Sequence, residues 1–158
     1  MRRVDVLLDN YSADHQNPTN QLIHLVCVPA IAWSVSAMLW AIPFPLDTSN
    51  AWAPNGQWAG LAMFLAAATY WRLSRRLAIG MLVAFALTVL LNNWIAKAYG
   101  VMTLLWLGVG VFVVAWIAQF IGHEFEGKRP SFLTDLVYLL IGPLWLMSKF
   151  FRRLGWSW

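Results

Sequence analysis

Two uninterrupted apolar runs, Leu22 to Ile42 and Val101 to Ile121, limit what this chain can become. A helix needs about 20 mostly apolar residues to cross the hydrocarbon core of a bilayer. Within that core its backbone polar groups must pair internally, which a helix does. Both runs meet that length. Two weaker runs lie between them, Trp58–Trp71 and Leu77–Ala96, parted by "RLSRR" (Arg72–Arg76) and read as a helical hairpin. Of the 158 residues only 11% are charged, against about 25% in an ordinary soluble domain. The class is therefore all-α, an integral membrane helical bundle in one domain. A polar cytoplasmic lead-in covers 1–21, spans cover 22–42, 57–72, 77–96 and 101–122, and a fifth apolar stretch covers 131–151.

That fifth stretch has Asp135 near its start and Gly142–Pro143 in its middle. Proline lacks a backbone donor and clashes with the turn before it, so two half-helices are expected, interfacial or re-entrant. The closing "FRRLGWSW" mixes Arg and Trp as headgroup zones do. The first twenty residues hold Arg2, Arg3, Asp5, Asp9 and Asp14 where a cleavable signal needs an apolar stretch, so none is expected. The lone Cys27 excludes an intrachain disulfide. The net charge of +4 sits beside apolar runs. That suits anionic lipid headgroups rather than nucleic acid.

Lys and Arg concentrate in cytoplasmic loops. Here they cluster in alternate segments: Arg2 and Arg3, then Arg72, Arg75 and Arg76, then Lys128 and Arg129, then Lys149, Arg152 and Arg153. The loop Pro43–Gly56 has none, and the last turn between spans has only Lys97. Four crossings with both termini in the cytoplasm follow from that alternation.

The chain has three histidines, His15, His24 and His123. His24 opens the first span and His123 closes the fourth. An even number of crossings separates them, so they emerge on one face, with His15 in the segment leading to His24. Asn20 and His24 are four residues apart, as are Gln119 and His123, and share helix faces; Glu126 is three beyond His123. Asp14 adjoins His15. Polar groups at membrane depth turn toward the bundle interior or a wet cavity. Imidazoles with one or two carboxylates suit iron, zinc, copper or nickel. The residues leave a second reading open. A histidine at a membrane boundary can be merely interfacial, and Asn17, Pro18 and Asn20 are also ordinary helix-start chemistry.

"DHQNPTNQLIHLVCVPAI", followed much later by "WIAQFIGHEFEGKRPSFLTDLVYLLIGPLWL", resembles the Mpo1-like family. The resemblance runs from Tyr11 to about Leu146. The paired pattern H-x-x-x-x-N-x-x-x-H and G-H-x-x-E carries it. Members are multi-span membrane proteins, and the resemblance implies an iron(II)-dependent dioxygenase of fatty acid α-oxidation. Such an enzyme converts a 2-hydroxy fatty acid and O2 to the acid one carbon shorter. It implies His15, His24 and His123 as metal-site residues, with Fe(2+) as cofactor. Glu126 matches the acidic position of the motif and Asn20 the asparagine between the histidines, so both enter as catalytic candidates. Where a fourth ligand is used, Glu126, Glu124 or Asp14 would supply it. Lys128 and Arg129 are placed to hold the substrate carboxylate. Gln119 is a further contact there, and with Asn20 a group orienting histidine N–H bonds. The bare chain looks bacterial, so an inner membrane is expected, with membrane lipid as surroundings and self-association left open. A haem-binding electron carrier, a zinc lipid hydrolase and a non-enzymatic lipid-binding or scaffold protein are the rivals; the chain has no CxxCH for covalent haem.

Overall fold

The computed structural model describes residues 2–46, 55–126 and 132–158. Among them are six α-helices and no strand: α1 Arg3–Ala13, α2 Pro18–Trp40, α3 Gln57–Leu73, α4 Arg75–Tyr99, α5 Val101–Glu126 and α6 Phe132–Arg153. Three of these, α2, α4 and α5, are long and apolar enough to cross a membrane. The helix α3 has 17 residues, roughly 25 Å at about 1.5 Å per residue, against a hydrocarbon core of about 30 Å. A single residue, Ser74, joins it to α4, and the two pack as the hairpin that Arg72–Arg76 suggested. The Ser74 hydroxyl accepts the Leu77 N–H and so caps α4.

The pair α2 and α5 forms the spine. In lipid, helices gain nothing from excluding water and associate by close packing of small residues. Gly108 of α5 lies where an added Cβ would stand 3.0 Å from the Ala37 Cβ and 3.2 Å from the Ser34 carbonyl. Ala115 and Gly122 continue that buried stripe at seven-residue intervals. At the far end α4 adds Asn92, whose amide donates to the Ser36 hydroxyl at 2.9 Å, deep between helices.

Two helices differ from the sequence-based expectation. The polar lead-in holds α1, an amphipathic helix that buries Val4, Leu8 and Tyr11 against α6. The fifth stretch is one helix, not two halves: α6 runs unbroken through Pro143. A proline in a helix interior costs about 3 kcal/mol or more. Burial of Ile141 before the proline and of Leu144, Trp145 and Ser148 after it offsets that cost, anchoring α6 on both sides. The helix α2 likewise passes through Pro29.

Together α1 and α6 cap one end of the bundle. Arg2 reaches the Trp158 carbonyl, and Arg76 donates to the Ser157 carbonyl at 3.0 Å and its hydroxyl at 2.7 Å. Both chain ends therefore sit with the basic α3–α4 turn on one face. Lys128 and Arg129 lie outside the described residues.

Candidate metal centre

His15 stands in the four-residue link between α1 and α2. The first helix stops at Asp14, whose N–H returns to the Asn10 carbonyl. The second starts at Asn17, whose side chain accepts the Thr19 N–H at 2.9 Å, with Pro18 in the first turn, where its missing donor costs nothing. The link is held further: the His15 carbonyl accepts the Gln21 amide at 2.7 Å, and Gln21 accepts from the Lys149 ammonium at 2.8 Å. That ammonium lies 3.7 Å from the centre of the Trp145 ring, and Trp145 donates to the Ser12 hydroxyl at 2.8 Å. These contacts hold a short loop rigid beneath α6.

The His15 ring is buried, with Nδ1 2.7 Å from the Tyr11 carbonyl. A carbonyl only accepts, so Nδ1 carries the proton and Nε2 keeps its lone pair. His24, in the second turn of α2, is also buried, and its Nδ1 meets the Tyr11 hydroxyl at 3.2 Å. The Nε2 atoms of both rings are buried with no hydrogen-bond partner. His123 comes from the last turn of α5, its ring 5.3 Å from that of His15 and 5.0 Å from that of His24. One donor nitrogen from each of the three lies within 4.8 Å of the others.

Buried polar nitrogens without partners are costly and uncommon. Two of them converging with a third imidazole make a cradle for an electrophile, and the donor set fits a transition metal held by three histidines with positions left open. Burial also pushes the His15 pKa below its ordinary value, partly opposed by the bond to Tyr11. The ring is thus kept neutral, as a ligand must be. The Nδ1 atoms of two of these imidazoles both end on Tyr11, which fixes ring orientation in the way that outer-shell partners of metal-bound histidines do.

A cavity of about 30 Å³ adjoins the three rings, bounded also by Val28, Ile31, Trp116, Gln119, Phe120 and Leu139. It has room for an ion with one or two small ligands. Trp116 contributes a buried indole N–H without a partner.

The other anticipated residues divide. Gln119 lines this cavity. Glu126 does not join the converging donors. Its Oε1 accepts the Gln16 N–H at 2.6 Å and the Asn17 N–H at 3.1 Å, and its Oε2 accepts the Asn20 amide at 2.9 Å. It ties the end of α5 to the start of α2, where a helix N-terminus favours negative charge. Asn20 is therefore bound to Glu126 rather than to a histidine, and Gly122 makes room for it: a Cβ there would lie 2.6 Å from the Asn20 Oδ1. Asp14 accepts the Tyr138 hydroxyl at 2.7 Å, and Glu124 is exposed. Sequence reasoning missed Tyr11, Trp116 and Trp145. Tyr11 carried a weak signal, since it is an aromatic residue four positions before His15.

The chain matches the family described as 2-hydroxy-palmitic acid dioxygenase Mpo1-like over residues 1–154. It is 32% identical over 147 residues to the 2-hydroxy-palmitic acid dioxygenase MPO1 of Saccharomyces cerevisiae, covering 92% of this chain and 78% of the yeast protein. No solved structure matches it. The chain belongs to the Mpo1-like family.

Proposed function

We propose that this protein is an iron(II)-dependent dioxygenase that converts a 2-hydroxy fatty acid to the acid one carbon shorter. The observation that carries the reading is the convergence of His15, His24 and His123, two of them with buried, unpartnered Nε2 atoms, in a chain related to a 2-hydroxy-palmitic acid dioxygenase. A resident iron(II) supplies the redox chemistry that lets triplet dioxygen react. The overall balance closes without an added reductant. A 2-hydroxy acid and one O2 give the shorter acid, carbon dioxide and water, so the substrate itself supplies all four electrons.

The chain's own groups do the rest. His15, His24 and His123 would hold the ion beside the cavity they line. Tyr11 fixes two of the rings, so the donor geometry survives substrate entry. The buried Trp116 N–H and the Gln119 amide are the donors within reach of a carboxylate in the cavity. Val28, Ile31, Phe120 and Leu139 exclude water from the reacting carbons. Lys128 and Arg129, which follow Glu126 in the sequence, would supply positive charge for a carboxylate. Glu126 and Asn20 act as a clamp on the α2–α5 joint rather than on the reacting atoms. Positive residues gather with both termini on the face of the metal centre, which supports a cytoplasmic site in a bacterial inner membrane.

A haem carrier finds less support, because a cavity of about 30 Å³ at the histidines is far too small for a porphyrin. The test is oxygen consumption by detergent-purified protein, loaded anaerobically with iron(II) and given 2-hydroxypalmitate. One pentadecanoate per O2 is expected from the wild type and none from His24→Ala. Hydrolytic products with zinc, or no turnover with either metal, would reject the reading.

A further inference from the structure

A second, much larger cavity lies beside the three histidines. It is a cleft of about 500 Å³ between α2, α3, α4 and α6, within the roughly 300–1,000 Å³ of small-molecule pockets. Its lining is almost wholly apolar. On α3 the small side chains Ala59, Ala62 and Ala66 open the space, and Ala84 and Thr88 face them from α4. Both prolines that interrupt helical ladders, Pro29 and Pro143, sit on its wall.

Three observations bear on what fills it. The cleft and the histidine cavity share Leu139 in their linings, so the two spaces adjoin at that side chain. Leu25, which follows His24 directly, begins the α2 wall, and Leu39 ends it. The cleft therefore starts at the depth of the metal centre and runs away from it along about 21 Å of helix at about 1.5 Å per residue. That exceeds the roughly 15 Å depth of one leaflet of a hydrocarbon core about 30 Å thick, so the cleft is long enough for one extended acyl chain. Finally Leu25, Leu140 and Phe150 on its rim are exposed, which gives a sideways entrance from the lipid.

We propose that this cleft holds the acyl chain of the 2-hydroxy acid, entering laterally from the bilayer with its polar head passing Leu139 to the three histidines. The proposal rests on the dioxygenase reading for the identity of the head group. Leu139 is the gate between tail and head, and Ala62 and Ala66 set how long a chain fits.

The test uses the full chain, iron-loaded, in phosphatidylcholine nanodiscs, with a 2-hydroxypalmitate analogue bearing a diazirine near its methyl end. After irradiation, labelled peptides are mapped by mass spectrometry. Labels are expected on α3 and α4 between Ala59 and Ala66 and between Ala84 and Thr88. Excess 2-hydroxypalmitate should remove them and excess phosphatidylcholine should not. Ala62→Trp, or the milder Ala84→Leu should the first fail to fold, should lower the labelling. Each should also shift turnover toward shorter acids by at least about tenfold, the scale of discrimination by an apolar pocket. Labels confined to the lipid-facing side of α5, or labels in the cleft that only bulk lipid displaces, would overturn the proposal. Competed labelling of the cleft without any turnover would uphold the chain site while rejecting the dioxygenase reading. Turnover with labels elsewhere would do the reverse.

Discussion

The Tyr11 ring lies flat against the His15 imidazole, with centroids 4.2 Å apart and planes 8° from parallel. The same tyrosine receives the His15 Nδ1 at its carbonyl and meets His24 Nδ1 with its hydroxyl. One residue of α1 thus orients two imidazoles borne on different segments. That makes an amphipathic helix at the chain start part of the centre.

Tyr11→Phe keeps the ring stack and removes the hydroxyl. Metal affinity is expected to fall by about 10–100-fold, the usual effect of losing an outer-shell partner, while the helical circular dichroism stays unchanged. Competition with a chelator of known affinity measures it. An unchanged affinity would show that the hydroxyl does not orient His24.

Glu126→Gln separates a clamp from a ligand. The carboxylate accepts two backbone N–H groups and the Asn20 amide. Its replacement should lower stability by about 1–3 kcal/mol, the range for disturbing a charged hydrogen-bond network. Metal content should remain at the wild-type value. Loss of metal from a folded Glu126→Gln protein would make the residue a ligand after all.

Gly122→Ala places a methyl group 2.6 Å from the Asn20 Oδ1. Overpacking of this kind costs about 1–3 kcal/mol, so the melting temperature in detergent should drop. Gly110→Ala meets nothing within 4 Å and should leave it within error. Equal effects at both positions would remove the close α2–α5 approach as the cause.

Acid should loosen the metal-free protein. The His15 pKa in the folded state is lowered, first by burial, while an unfolded histidine titrates near 6.5. The unfolded chain therefore binds more protons below about pH 6.5, and stability falls as pH drops from there toward the folded value. Above that window this group adds no pH dependence. Thermal unfolding of metal-free wild type between pH 5 and 8 tests the slope, which should flatten in His15→Gln.

Much of this arrangement is legible in the sequence because lipid imposes simple rules. Apolar length located α2, α4 and α5, the helices long and apolar enough to cross a membrane, and polar patches beside the ends of α2 and α5 mark where His15, His24 and His123 converge. The Asn17–Pro18 helix start also reads directly, since its chemistry is local. What escaped depends on tertiary packing. Val4, Leu8 and Tyr11 repeat every three to four residues, but the intervening charges hide an amphipathic helix inside a polar segment. Pro143 signals a break by its own chemistry, and only the burial of Ile141 and Leu144 against the bundle shows why α6 continues. The spacing of His123 and Glu126 correctly puts both at the end of α5. It cannot show that the start of α2 offers the carboxylate three N–H donors.

The most direct measurement is the metal content of the purified protein, prepared without oxygen and reconstituted with iron(II), wild type beside His24→Ala and His123→Ala. A three-histidine centre predicts one iron per chain in the wild type and loss from both variants while they stay folded. A folded wild type that takes up no metal, or variants that retain it, would contradict the centre on which the proposed chemistry rests.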